Sequence, residues 1–136
     1  MPSWLLSSLV SLLFFGLWGF FSKLALFHVN SKVTLIMQTL GVVIISLFLL
    51  KNIEIRDFFP AKGAYFGILT GAAYGLGCLF YLIAVDKGKL TTVVTLTALY
   101  PLVTILCSFI WLNEVITTKQ WAGIALALLS IVIMSI

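Results

Sequence analysis

Four carboxylates, one histidine and two cysteines are the residues of this 136-residue chain that enzyme chemistry would draw on. Glu54, Asp57, Asp86 and Glu114 all stand between or at the ends of apolar stretches, and no two are spaced to exchange protons across one site. His28 stands alone in an expected turn, and Cys78 and Cys107 have no partner at metal-ligand spacing, so both cysteines read as packing residues. No phosphate loop, zinc pattern or nucleophile elbow is present. The reading is therefore no enzyme, no metal and no cofactor. Polar side chains inside the apolar stretches suit binding instead: Trp18, Lys23, Gln38, Tyr74, Tyr81, Thr97, Tyr100 and Thr104 are the candidates to line a cavity for a small molecule.

The elements that must carry these residues follow from composition. The chain is 62% hydrophobic and only 9% charged, with a mean hydropathy of +1.24, far from the soluble average of about 25% charged residues. Apolar runs over 4–27, 33–50, 63–85, 92–112 and 119–136 are each near the roughly 17–25 residues that a spanning helix needs. The expected fold is an all-α integral membrane protein of five transmembrane helices, one domain over 1–136, with membrane lipid as its surroundings. The breaks HVNSK, KNIEIRDFFPAK, DKGKLT and NEVITTK hold most of the charge, and Pro60 punctuates the second. The first run is too long for the apolar core of a signal peptide and reads as a retained helix.

Helical spacing groups the candidates. Ser8, Ser11, Phe15, Trp18 and Ser22 share a face of the first helix, and Trp18 lies well away from the interfacial positions of Trp4, Trp111 and Trp121. Lys23 either snorkels to the surface or turns inward and attracts an anion. The amide of Gln38 must face protein or water, through a helix–helix hydrogen bond or a ligand. In the third run Gly63, Gly67, Gly71 and Gly75 recur every four residues, a slanting groove expected to receive another helix of the bundle, with Thr70, Tyr74, Cys78 and Tyr81 alongside. Pro101 lies mid-span in the fourth run and cannot donate to the carbonyl of Thr97, so a kink is expected there. Gly123, Ala127 and Ser130 form a small-residue face for helix packing in the last run.

Alternating the linkers across the membrane puts Lys51, Arg56, Lys62 and Lys119 on the N-terminal side and Lys23, Lys32, Lys87 and Lys89 on the other. The positive-inside rule has no excess to act on. Either one or two lysines decide a single orientation, or copies insert both ways and pair antiparallel, the symmetry on which many transporters build alternating access. The net charge of +4 is spread over the linkers and offers no patch for nucleic acid.

LWGFFSKLAL, the glycine-rich run leading into YLIAVDKGK, and LTALYPLVTILCSFIWLNEVITTKQWAGIALALLSIVIM together resemble one EamA-type repeat of the drug/metabolite transporter superfamily. The final block is the most specific part, with its mid-helix proline, Glu114 at the helix end and Gly123 beyond. The resemblance covers nearly the whole chain and implies a multi-helix exporter or exchanger of small metabolites or drugs, in the cell membrane (the inner membrane of a Gram-negative cell). Typical members hold two inverted repeats in one chain, whereas this sequence holds one, which implies an antiparallel homodimer similar to the small multidrug exporters. Those rely on a carboxylate in the first helix, and none is present here. The alternative is a non-transporting subunit of a heteromeric carrier or of a lipid-linked sugar flippase.

Overall fold

A computed structural model describes residues 3–54 and 61–135. Arg56, Asp57 and Pro60 lie outside the described residues. The described residues are helical with no strand, in two compact units, Met1–Lys87 and Gly88–Ile136.

The first unit holds α1 (Ser3–Leu26), α2 (Ser31–Leu49) with a 3-10 turn at Leu50–Asn52, and α3 (Ala61–Lys87). Asn30 starts α2: its backbone is extended and its Oδ1 accepts from Val33 N at 3.0 Å, satisfying one of the free donors of the first turn. α3 packs against both α1 and α2, and α1 also meets α2. Little is buried. Leu82 and Val85 are fully enclosed, and beside them Ser22 and Thr34 are buried at 2% exposure, so the centre of this unit is partly polar. Phe14, Ile44, Ile68 and Phe80 are among the many large apolar side chains that point outward, as a lipid solvent requires.

The second unit holds α4 (Leu90–Thr97), α5 (Tyr100–Trp111) and α6 (Thr118–Ser135), with α4 packed on α6. The expected fourth span is here two helices. Ala98 N closes on Val94 O at 2.9 Å, Leu99 N turns to Leu96 O at 3.2 Å, and Leu102 N to Leu99 O at 3.0 Å, so the ladder stops and restarts. Pro101 sits in the first turn of α5, where a missing N–H costs nothing. A kink near Pro101 was the expectation; the structure breaks the hydrogen-bond ladder at Ala98–Leu99 while both residues keep right-handed helical backbone angles, with the proline in the first turn of α5.

Four stretches are long and apolar enough to cross a bilayer: Trp4–Leu26, Ser31–Leu49, Gly63–Lys87 and Leu90–Trp111, the last formed by α4 and α5 together. Thr118–Ile133 is a fifth, shorter apolar helix. Eighteen residues of α6 rise about 27 Å, close to the roughly 30 Å hydrocarbon layer.

Within the first unit no helix packs closely on Gly67, Gly71 or Gly75. A Cβ added at Gly67, Gly71 or Gly75 would meet nothing within 4 Å. α1 meets α3 farther along, at Tyr81 and Val85, where larger side chains make the contact.

Candidate functional site

The first unit gathers four of the candidates around one polar knot. On α1 the positions Trp18, Gly19, Ser22 and Lys23 share the face turned to α3, and Tyr81 and Val85, one turn apart, answer them. The Trp18 and Tyr81 rings stack, with centroids 4.7 Å apart and planes at 29°. Gly19 makes this possible, because a Cβ there would lie 3.1 Å from the Tyr81 hydroxyl. One turn on, Lys23 Nζ donates to the Val85 carbonyl at 2.7 Å, and the ammonium lies 5.7 Å from the centre of the Phe27 ring. That carbonyl belongs to the last turn of α3, where helix geometry leaves acceptors free and the dipole favours a cation. The lysine thus neither reaches freely into solvent nor lies unpaired in a cavity; it ties α1 to the end of α3.

α2 enters the knot through Gln38. Its Nε2 donates to Ser22 Oγ at 2.8 Å, while Ser22 Oγ donates its own hydrogen to the Trp18 carbonyl at 2.7 Å. Because that hydroxyl hydrogen is spent on the carbonyl, the serine accepts from the amide, which fixes the amide orientation and points Oε1 away. Three polar atoms in the knot are then buried without a partner: Trp18 Nε1, Gln38 Oε1 and Tyr81 Oη. Each such atom costs about 1–3 kcal/mol relative to its paired state. Two donors and an acceptor thus have bonding capacity left over on three helices that meet, capacity that an ordered water or a ligand could take up.

The remaining candidates are described each within its own unit. Tyr74 is 50% exposed and stands one turn from Cys78 along α3. In the second unit Thr97 spends its hydroxyl on the carbonyls of Val93 (2.8 Å) and Val94 (3.1 Å), and Tyr100 is 66% exposed. Thr104 lines a cavity of about 550 Å³ between α5 and α6, whose walls include Gly123 and Ala127 of the expected packing face. The hydroxyl face expected on α1 is partly absorbed by the helix itself, since Ser8 donates to the Trp4 carbonyl at 2.8 Å. No group of three or more metal-ligating side chains occurs among the described residues.

Sequence reasoning passed over Gly19, Ser22 as the bridge, and the Val85 carbonyl. The signal was present as paired four-residue steps, Gly19 to Lys23 on α1 and Tyr81 to Val85 on α3, which align only once the two helices are known to be neighbours.

The profile of the EamA-like transporter family matches residues 2–136. An uncharacterised protein of Methanocaldococcus jannaschii is 28% identical over 138 residues, covering 100% of this chain and 98% of the relative. No solved structure matches. A family match over the full set of apolar helices makes the chain a multi-pass membrane protein, and it belongs to the EamA-like transporter family.

Proposed function

We propose that the chain carries a small molecule across the membrane, as an exporter or exchanger working by alternating access, with two copies paired antiparallel. The observation that carries this reading is the trio of buried, unpartnered atoms Trp18 Nε1, Gln38 Oε1 and Tyr81 Oη. In a static packing role these groups would be paired or replaced by apolar ones, because an unpaired polar atom in hydrocarbon surroundings is costly. Trp18 lies eight residues before the end of α1, about 12 Å of helix rise and so near mid-bilayer, where carriers place their sites. Lys23 lies nearer the helix end, and Tyr74, Thr97, Tyr100 and Thr104 are further candidates. The even split of lysine and arginine between the two sides supports the antiparallel pair.

The test is a thermal-shift screen of metabolites against the purified protein, followed by uptake of any hit into proteoliposomes. A ligand that raises the melting temperature of the parent, and whose binding and flux are lost in Trp18→Ala and Gln38→Leu while both variants remain folded, supports the site. A ligand transported equally well by both variants removes it.

A further inference from the structure

We propose that the half-open groove between α5 and α6 is a binding site for an amphiphile that carries an ammonium group, with the ammonium against Glu114 and an apolar chain along the facing walls of the two helices. This site is separate from the polar knot of the first unit and does not depend on it.

Local geometry builds the mouth of the cavity. At the end of α5, Leu112 N donates to Ser108 O at 2.9 Å. Asn113 then takes φ 53°, the left-handed conformation that asparagine tolerates better than most residues, and Glu114 N returns to the same Ser108 carbonyl at 3.4 Å. This reversal folds Glu114 back along α5, and Ser108 Oγ donates to Glu114 Oε2 at 2.8 Å. Across the mouth, α6 begins with a reciprocal cap: Thr117 N and Oγ1 donate to Gln120 Oε1 at 2.8 and 2.9 Å, and Gln120 N donates to Thr117 Oγ1 at 3.4 Å. The carboxylate is therefore held by one capped helix end and faces another.

Below the mouth the walls are apolar: Ile105, Phe109, Ile124 and Ala127, with Gly123 leaving space where any larger side chain would intrude. At Gly123 an added Cβ meets nothing within 4 Å. The slot reaches Thr104 and Ala127, about 10–14 Å of helix rise from the neighbouring helix ends, and its volume of about 550 Å³ lies in the range of ligand sites. Glu114 stands in the short connection between two apolar helices, so polarity along the groove runs from an anion at the helix ends to apolar side chains farther in. No lysine or arginine lines the cavity. A head with net negative charge would be repelled and a neutral chain would gain nothing from the exposed carboxylate; an ammonium on an apolar chain gains at both ends.

Such a molecule is either an ethanolamine phospholipid of the membrane or a free alkylammonium compound. The protein is reconstituted in vesicles with equal parts of phosphatidylethanolamine and phosphatidylglycerol, extracted in non-ionic detergent, and the retained lipid counted by native mass spectrometry; dodecylammonium and dodecanol are titrated in parallel. The expected result is at least about fivefold preference for an ammonium amphiphile over its anionic or neutral counterpart, abolished in Glu114→Gln, which keeps an oxygen for Ser108. Gly123→Leu, filling the slot, reduces retention of every chain. Preference for the ethanolamine lipid identifies the membrane as the source, and preference for dodecylammonium alone identifies a free amphiphile. Equal retention of all heads by the parent protein, or an unchanged preference in Glu114→Gln, overturns the proposal.

Discussion

At the scale of single residues, Ser22 holds more of the first unit together than its size suggests. It accepts from Gln38 on α2 and donates to the Trp18 carbonyl on α1, at 2% exposure. Ser22→Ala removes the acceptor and leaves the Gln38 amide wholly unpaired, so a destabilisation of about 1–3 kcal/mol is expected, read as a lowered midpoint in a denaturation series in mild detergent. The double variant Ser22→Ala, Gln38→Leu should recover part of that loss, because it removes both partners rather than one. A double variant no more stable than Ser22→Ala would show that the Ser22–Gln38 bond is not what is lost. Trp18, Lys23, Gln38 and Tyr81 were all visible in the sequence as polar residues in apolar runs. Their mutual placement was not, because helical spacing tells which residues share a face but not which helix that face meets.

At the scale of elements, the break between α4 and α5 and the open face of α3 make opposite demands. Pro101→Ala would supply an N–H for the Thr97 carbonyl and allow the two helices to merge, a gain of about 0.5–1.5 kcal/mol from the added backbone bond. Increased helical signal in circular dichroism and a raised melting temperature are expected, with slower flux if the break acts as a hinge; unchanged helicity would mean that the Ala98–Leu99 turn is held by something other than the proline. Gly71→Leu tests the ladder. Since an added Cβ at Gly71 meets nothing, the monomer should keep its stability, and any loss of association in detergent locates the contact between copies on this face. A destabilised monomer with undiminished pairing would mean that the ladder packs within the chain after all. The five apolar runs were legible from composition and length alone. The fault near Pro101 was legible and its extent was not, because a proline announces a break in the ladder without fixing how many bonds are lost, and the glycine spacing shows where close approach is possible but not which helix makes it.

At the scale of the whole molecule, orientation is the open quantity that charge balance addresses. In the proposed topology Lys23, Lys32, Lys87 and Lys89 oppose Lys51, Arg56, Lys62 and Lys119, and neither side outweighs the other. Single cysteines placed at 28–32 and at 86–90, in a background lacking Cys78 and Cys107, should label with an impermeant reagent from both faces of the membrane. Two lysines added at either side should shift the labelling to one face. One-sided labelling of the chain before any lysine is added would argue against inverted pairs.

The distribution of charge also has an electrical consequence. Among the described residues of α1 the only charged one is Lys23, three residues or about 4.5 Å of rise from the helix end, and its ammonium is tied to Val85 near the end of α3. Displacing a full elementary charge through a 100 mV membrane potential is worth about 2.3 kcal/mol, but a charge confined to the outer fringe senses only a small fraction of that field. In the proposed carrier the protein would therefore reorient almost without moving charge of its own. Capacitive currents from the unloaded protein should be negligible, and any voltage dependence of flux would read directly the valence of what is carried.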